Sequence, residues 1–236
     1  MRDKKFIVEE LIAALEEFTD PKRVEKSKTY FPTSQRVLGV TNPHVKTVTD
    51  ELKQLHAAWT SREWIELCKA LVDCDIFECQ IMAYGILDRN KKLQDALTLT
   101  DLEDLWKNLD NWASVDHFTI AVYGVLWGKG VVTDVHIDKL LGSDNFWDRR
   151  VAVVSTVALN LKSRGGKGDT ARTISVCERV VDERQDMIQK ALSWALRELS
   201  KRDKQSVINF MNRYEIRLAK RVVREVSHKL DFGTKN

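Results

Sequence analysis

An all-α fold, a right-handed superhelical solenoid of HEAT-like helical repeats with a concave face, follows from three features of the sequence. Apolar residues recur at helical spacing through nearly all of its 236 residues, in segments of about 10–16 residues between short polar breaks. Glycine (10) and proline (3) are scarce, which removes the punctuation that a many-stranded sheet needs. The helical segments arrive in short-linked pairs, each spanning roughly 35–45 residues, the period of HEAT-type repeats, with the repeats too diverged to align. Such pairs bury their apolar stripes only by stacking, so a single domain over 1–236 is expected. Its concave surface would be lined by the second helix of each pair.

The elements follow in order. Charges interrupt the apolar residues of MRDKKFIVEELIAAL, so 6–18 reads as an amphipathic helix and not as a signal peptide or membrane span. A cytoplasmic protein is expected on that ground. The Asp20-Pro21 break leads into a helix over 22–30, and Asn42-Pro43 opens the next over 43–57. Helices over 61–72, 76–90 and 100–109 come before a longer one over 112–127, which stops at Gly128-Lys129-Gly130. Segments 133–141 and 145–161 precede Ser163-Arg164-Gly165-Gly166-Lys167-Gly168, the one flexible loop of any length. Helices over 170–181, 186–200, 203–212 and 214–230 complete the chain.

A formal charge of +3 excludes a polycation, so any contact with nucleic acid must come from a local patch. The charge is unevenly spread. From Met187 onward Lys and Arg outnumber Asp and Glu, whereas 99–116 is acidic. Cys68, Cys74, Cys79 and Cys177 lack CxxC or Cys/His ligand spacing and read as buried thiols, so no metal and no cofactor is expected.

Three helices break the pattern of an apolar stripe beneath a solvated face. In 186–200 the stripe is Ile188, Leu192, Ala195, Leu196 and Leu199. Trp194 falls on the far side among Lys190, Arg197 and Lys201, either packing against a neighbouring repeat or offering a stacking, phosphate-contacting surface. In 112–127 the core stripe is Val115, Phe118, Val122 and Val125, and Trp112, Asp116 and Tyr123 share the opposite face. An Asp early in a helix usually serves the dipole, but this one is bracketed by aromatic rings, with Trp112 one turn away. In 145–161 Arg150 is set into an apolar neighbourhood and needs a partner, an internal carboxylate or a ligand phosphate.

These segments resemble the AlkD-type DNA alkylation repair glycosylases, a family of HEAT-like solenoids. The likeness is carried by Asn111-Trp112-Ala113-Ser114-Val115-Asp116, by Ser143-Asp144-Asn145-Phe146-Trp147-Asp148-Arg149-Arg150 and by Ala191-Leu192-Ser193-Trp194-Ala195-Leu196-Arg197-Glu198. It extends to Leu38-Gly39-Val40 before Pro43, with Tyr30 upstream. The resemblance implies Asp116 as the catalytic carboxylate, Trp112 and Trp194 as an aromatic pair flanking the lesion nucleotide, Arg150 as a DNA-contacting arginine and Tyr30 as a backbone contact. Lys190 and Arg197 join them through the basic face around Trp194. The chain departs from the family in having Asn111 where a second Trp is common, and in a longer Ser163–Gly168 loop.

The resemblance thus implies a monomer acting on double-stranded DNA that carries alkylated purines, nucleoid-associated when bound, with no membrane and no cofactor. An N3- or N7-alkylated purine is already a cationic leaving group, and what needs help is the oxocarbenium character that develops on the sugar, which a carboxylate stabilises. The outward-facing residues show no evident deep pocket, which is consistent with the family's engagement of DNA through backbone and lesion-bearing sugar without an inserted flipped base, while the base flipping of ordinary glycosylases stays open as the alternative. Two alternatives stay open. A non-catalytic DNA-structure binder would keep the basic face without needing Asp116 between rings. A protein-binding scaffold would show apolar residues around Trp194.

Overall fold

A computed structural model describes residues 4–234, and among them there is no strand: one isolated parallel bridge, Arg36 to Ile76, is the sole β-type pairing. The all-helical expectation holds. The chain divides into two compact units, Met1–Val122 and Tyr123–Asn236.

The first unit contains α1 (Lys4–Glu16), α2 (Pro21–Tyr30), α3 (Asn42–Leu55), α4 (Ser61–Asp73), α5 (Phe77–Leu87), α6 (Lys91–Ala96), α7 (Leu99–Leu105) and α8 (Trp112–Phe118). The starts are set by side-chain caps. Asp20 accepts from the Lys22 amide, Thr41 from His44, and Thr60 with Glu63 closes a reciprocal box. Helix α5 packs against α3, α4 and α8, and its burial on nearly every side explains why it is apolar all round. Tyr84 donates its hydroxyl to the Leu105 carbonyl at 2.8 Å, and the Gln80 amide reaches the Lys107 carbonyl at 3.0 Å. The segment entering α8 is thereby fastened to α5.

The second unit opens on the end of a five-residue π-helix, Thr119–Tyr123. It continues through α9 (Gly124–Gly128), α10 (Asp134–Leu141), α11 (Phe146–Asn160), α12 (Thr170–Arg179), α13 (Asp186–Leu199), α14 (Lys204–Tyr214) and α15 (Lys220–Phe232). Here the repeats are plain. Helices α10, α12 and α14 begin 36 and then 34 residues apart, each paired with its successor, and α11 packs on α13 as α13 does on α15. Gly124 fits because a Cβ there would lie 2.7 Å from that of Ala158 and 2.9 Å from the Ser155 carbonyl oxygen.

Four features depart from expectation. The helix over 112–127 is interrupted by the π-segment, so wheel arithmetic at 100° per residue fails beyond Phe118. Tyr123, expected on the outer face, is buried, and burial with the nearby Asp148 charge pushes its hydroxyl pKa up to about 12. The short α6 was not foreseen at all. The Ser163–Gly168 loop is pinned: Gly166 and Gly168 donate to the Leu161 and Leu159 carbonyls at 2.9 and 3.1 Å. Arg202 also bridges the Asn160 and Gly166 carbonyls.

One buried carboxylate organises the outer helices of the first unit. Asp101 is 1% exposed and receives Lys69 at 2.6 Å, Arg62 at 2.8 Å, and the amide and hydroxyl of Thr98. Burial alone would raise its pKa, but these donors outweigh it and hold the carboxyl well below the ordinary 3.8. Its contribution is therefore present above that value and lost as pH falls through the folded-state pKa. Asp101→Asn is expected to cost about 1.5–3 kcal/mol at neutral pH, as for hydrogen bonds to charged groups. The gap to wild type should close in urea melts run at progressively lower pH below 3.8.

Candidate functional site

Tyr30, Trp112 and Asp116 belong to the first unit, and a small set of hydrogen bonds decides where they stand. The Asp110 carboxylate accepts the Thr33 hydroxyl at 2.6 Å and the Ser34 amide at 2.5 Å. Burial works against this charge, but the donors from Ser34, Thr33 and Asn111 win and hold its pKa below the ordinary value. The segment after α2 is thus tied to the residue before α8. Trp112 then donates its indole N–H to the Tyr30 carbonyl at 2.8 Å, and the two rings meet edge to face at 5.2 Å and 88°. Trp112 is held from two directions while Tyr30 stays exposed.

Asp116 is half-buried, one helical turn past Trp112. The usual reason for an early helical Asp does not apply. Buried Asn111 already caps α8, accepting the Ala113 and Ser114 amides at 3.0 Å each, and Asp116 is the fifth residue, beyond the first turn where the dipole acts. Asn111, the departure noted in the sequence, is therefore the residue that starts this helix. The π-segment that follows is supported from α6, where the Gln94 amide donates to the Ala121 carbonyl at 2.9 Å and to Leu87 at 3.2 Å.

Beside these residues lies a groove of about 870 Å³, which the sequence did not foretell. One stripe of each helix lines it: Lys26 and Tyr30 of α2, Lys46 and Lys53 of α3, Ile81 and Gly85 of α5 with Asp88 just past its end, and Trp112 and His117 of α8. Its far wall is fixed by Glu78. That carboxylate accepts the amides of Leu38, Gly39 and Val40 at 2.9, 2.8 and 3.2 Å. Gly39 is required there, because φ is +79° and a Cβ would come 2.5 Å from the Asp20 carbonyl oxygen. The Leu38-Gly39-Val40 motif thus anchors α2, and with it Tyr30.

The remaining site residues belong to the second unit. Arg150 on α11 is buried and donates to the main-chain carbonyl of Met187, near the start of α13. In that direction its partner is neither a carboxylate nor a phosphate. Trp194 is half-buried on α13. The basic residues around it are paired. Lys190 meets Asp186 at 2.7 Å, Lys201 meets Glu198 at 2.6 Å, and Arg197 donates to the Ser193 hydroxyl at 3.2 Å with Glu225 at 3.9 Å. Burial lowers the Arg197 pKa despite Glu225 and Glu198, which marks it as part of the helix packing more than of an open cationic surface.

Among the described residues no group of three His, Cys, Asp or Glu side chains is placed to hold a metal ion, and no helix is long and apolar enough to cross a membrane. Cys68, Cys79 and Cys177 are buried, and Cys74 is half-buried.

Likeness to known proteins places this chain in a DNA repair class. It matches the DNA alkylation repair enzyme family over residues 11–230 and belongs to that family. It shares its fold with a predicted DNA alkylation repair enzyme from Enterococcus faecalis, with a TM-score of 0.70 and 20% identity over 91% of this chain and 97% of that one. No curated relative matches the chain.

Trp112→Phe keeps an aromatic ring and removes only the donor to the Tyr30 carbonyl. A loss of about 1 kcal/mol is expected in urea unfolding, typical of a single neutral hydrogen bond. Equal stability would mean that the clamp rests on Asp110 alone.

Proposed function

We propose that this protein is a DNA glycosylase that hydrolyses the N-glycosidic bond of cationic N3- or N7-alkylated purines in duplex DNA, with Asp116 as the catalytic carboxylate. The observation that supports this most directly is the placement of Asp116. It is past the first turn of a helix already capped by Asn111, and next to an aromatic ring fixed by a hydrogen bond. Neither capping nor the dipole accounts for it there.

In this reading the bond between C1′ of the deoxyribose and the purine nitrogen breaks with its electron pair going to the base, which leaves neutral. The sugar becomes oxocarbenium-like, and Asp116 stabilises that charge while orienting a water whose oxygen bonds to C1′ as it releases one proton to solvent. Trp112 offers an electron-rich face to the cationic nucleotide, about 0.5–2 kcal/mol, and Trp194, on the second unit, offers an aromatic face to DNA. Tyr30, exposed, contacts the DNA backbone, whereas Arg150, expected to do the same, is buried against the Met187 carbonyl and serves to hold α11 to α13. Lys190, exposed and paired only with Asp186, can exchange that partner for a phosphate at little cost, since surface pairs contribute about 0–1 kcal/mol. Arg197 is half-buried and already engaged, and contributes mainly by holding α13. We read the protein as a cytoplasmic monomer with no cofactor.

Asp116→Asn keeps size and shape but removes the charge that acts in the transition state. Excision of 7-methylguanine from duplex DNA should fall by about 10²–10³, with DNA affinity nearly unchanged. Excision at the wild-type rate would withdraw the catalytic assignment. Affinity for duplex should also fall linearly on a log–log plot against salt, with a slope near −0.9 per phosphate neutralised. A dissociation constant that does not move between two ionic strengths would exclude a phosphate-led interface.

A further inference from the structure

We propose that Cys74 and Cys79 form a dithiol oxidised by hydrogen peroxide, in which Cys74 is the attacking sulfur and Cys79 closes a reversible disulfide onto it. The proposal is independent of the chemistry assigned to Asp116 and of any contact with DNA.

The backbone brings the two sulfurs together. Cys74 caps the end of α4, and Ile76 opens α5 two positions later. Asp75 between them takes a left-handed φ of +58°, which turns the chain so that the start of α5 comes back to the end of α4. The turn is also held from outside. The Arg36 amide donates to the Asp75 carbonyl at 3.1 Å, and the Phe77 amide donates to the Arg36 carbonyl at 3.0 Å. Cys79 is the third residue of α5, and its thiol donates to the Cys74 sulfur across the turn.

The two thiols differ in chemistry. A helix start leaves amides without partners, and Ile76, the cap residue of α5, makes no side-chain hydrogen bond to them. The Cys74 sulfur stands in, accepting from the Ile76 amide as well as from Cys79, at the positive end of α5. The Cys79 thiol first and then the Ile76 amide lower the Cys74 pKa, against partial burial and the Asp75 charge. Cys79 goes the other way. That same hydrogen bond and its burial push its pKa up, so it keeps its proton. Cys68 and Cys177, both buried and raised chiefly by desolvation, serve as inert references. A half-buried, thiolate-prone sulfur beside a protonated partner is the arrangement of redox-sensing cysteines.

The step balances. The Cys74 thiolate attacks one oxygen of hydrogen peroxide, the O–O bond breaks, and hydroxide leaves with the electron pair, giving a sulfenic acid on Cys74. That hydroxide is neutralised by the proton Cys74 had released to solvent. The Cys79 sulfur then bonds to the Cys74 sulfur, the S–O bond breaks, and the departing hydroxide takes the Cys79 thiol proton and leaves as water. Each sulfur is oxidised by one electron while the peroxide is reduced by two. A small dithiol reverses the bridge by exchange.

The test adds hydrogen peroxide to folded wild type and digests it with trypsin without reductant. Both cysteines fall in one tryptic peptide, residues 70–89, between the cleavage sites at Lys69 and Arg89. Its mass should fall by about 2 Da and return on adding dithiothreitol. In denaturant, two of the four thiols should no longer take up maleimide, while Cys68 and Cys177 still do. Cys74→Ser keeps an acceptor for the Ile76 amide, so it should melt as wild type does and leave Cys79 a free thiol. Cys79→Ala removes the closing partner, so Cys74 should stop at the sulfenic acid and be trapped by dimedone. If Cys79→Ala does not fold, the wild-type peptide decides alone. The proposal is overturned by four reactive thiols in wild type at a peroxide excess that oxidises free cysteine. A bridge to Cys68 or Cys177, a bridge between chains, or sulfenic acid trapped at Cys79 in Cys74→Ser would overturn it equally.

Discussion

The Asp110 carboxylate joins two stretches of chain separated by more than seventy residues, and the arrangement of the first unit's candidate residues depends on it. Two of its donors come from the turn after α2, and a third, the Asn111 amide, comes from the cap of α8. Without that charge the amide of Ser34 and the hydroxyl of Thr33 would lose their acceptor. Tyr30, a few residues away, would then be held to Trp112 by one indole hydrogen bond. The ring that the proposed chemistry needs is therefore positioned by loop residues, and the helices provide the platform on which the loops close.

The second unit manages charge differently. Its surface is rich in arginine and lysine, yet the pairs run from one repeat to the next: Arg217 to Asp182, Arg213 to Glu178 and Arg179 to Asp138. Net positive charge counted along the sequence thus overstates what a phosphate would meet. Exposed pairs are weak enough to be exchanged for a phosphate, whereas Arg150 and Arg197 are embedded and shape the helices they touch. This distinction separates residues that position the protein's own surface from residues that meet DNA.

Much of the fold was legible because it rests on periodicity. Helices α3, α4, α11 and α13 fall within a few residues of the positions that their apolar stripes and caps predict. Trp112 and Asp116 were legible for the same reason, since a four-residue spacing fixes adjacency on a helix. The misses share one cause, a departure from regular spacing or a long-range partner. Tyr123 was misplaced because the π-segment adds a residue to the turn, and a wheel cannot show where hydrogen bonds slip from i+4 to i+5. Asp110 and Gln94 carry no local signature, because their partners are remote in sequence. The groove was invisible because it is made of single stripes from four helices, and Gly85 reads in the sequence as a weak point in a helix.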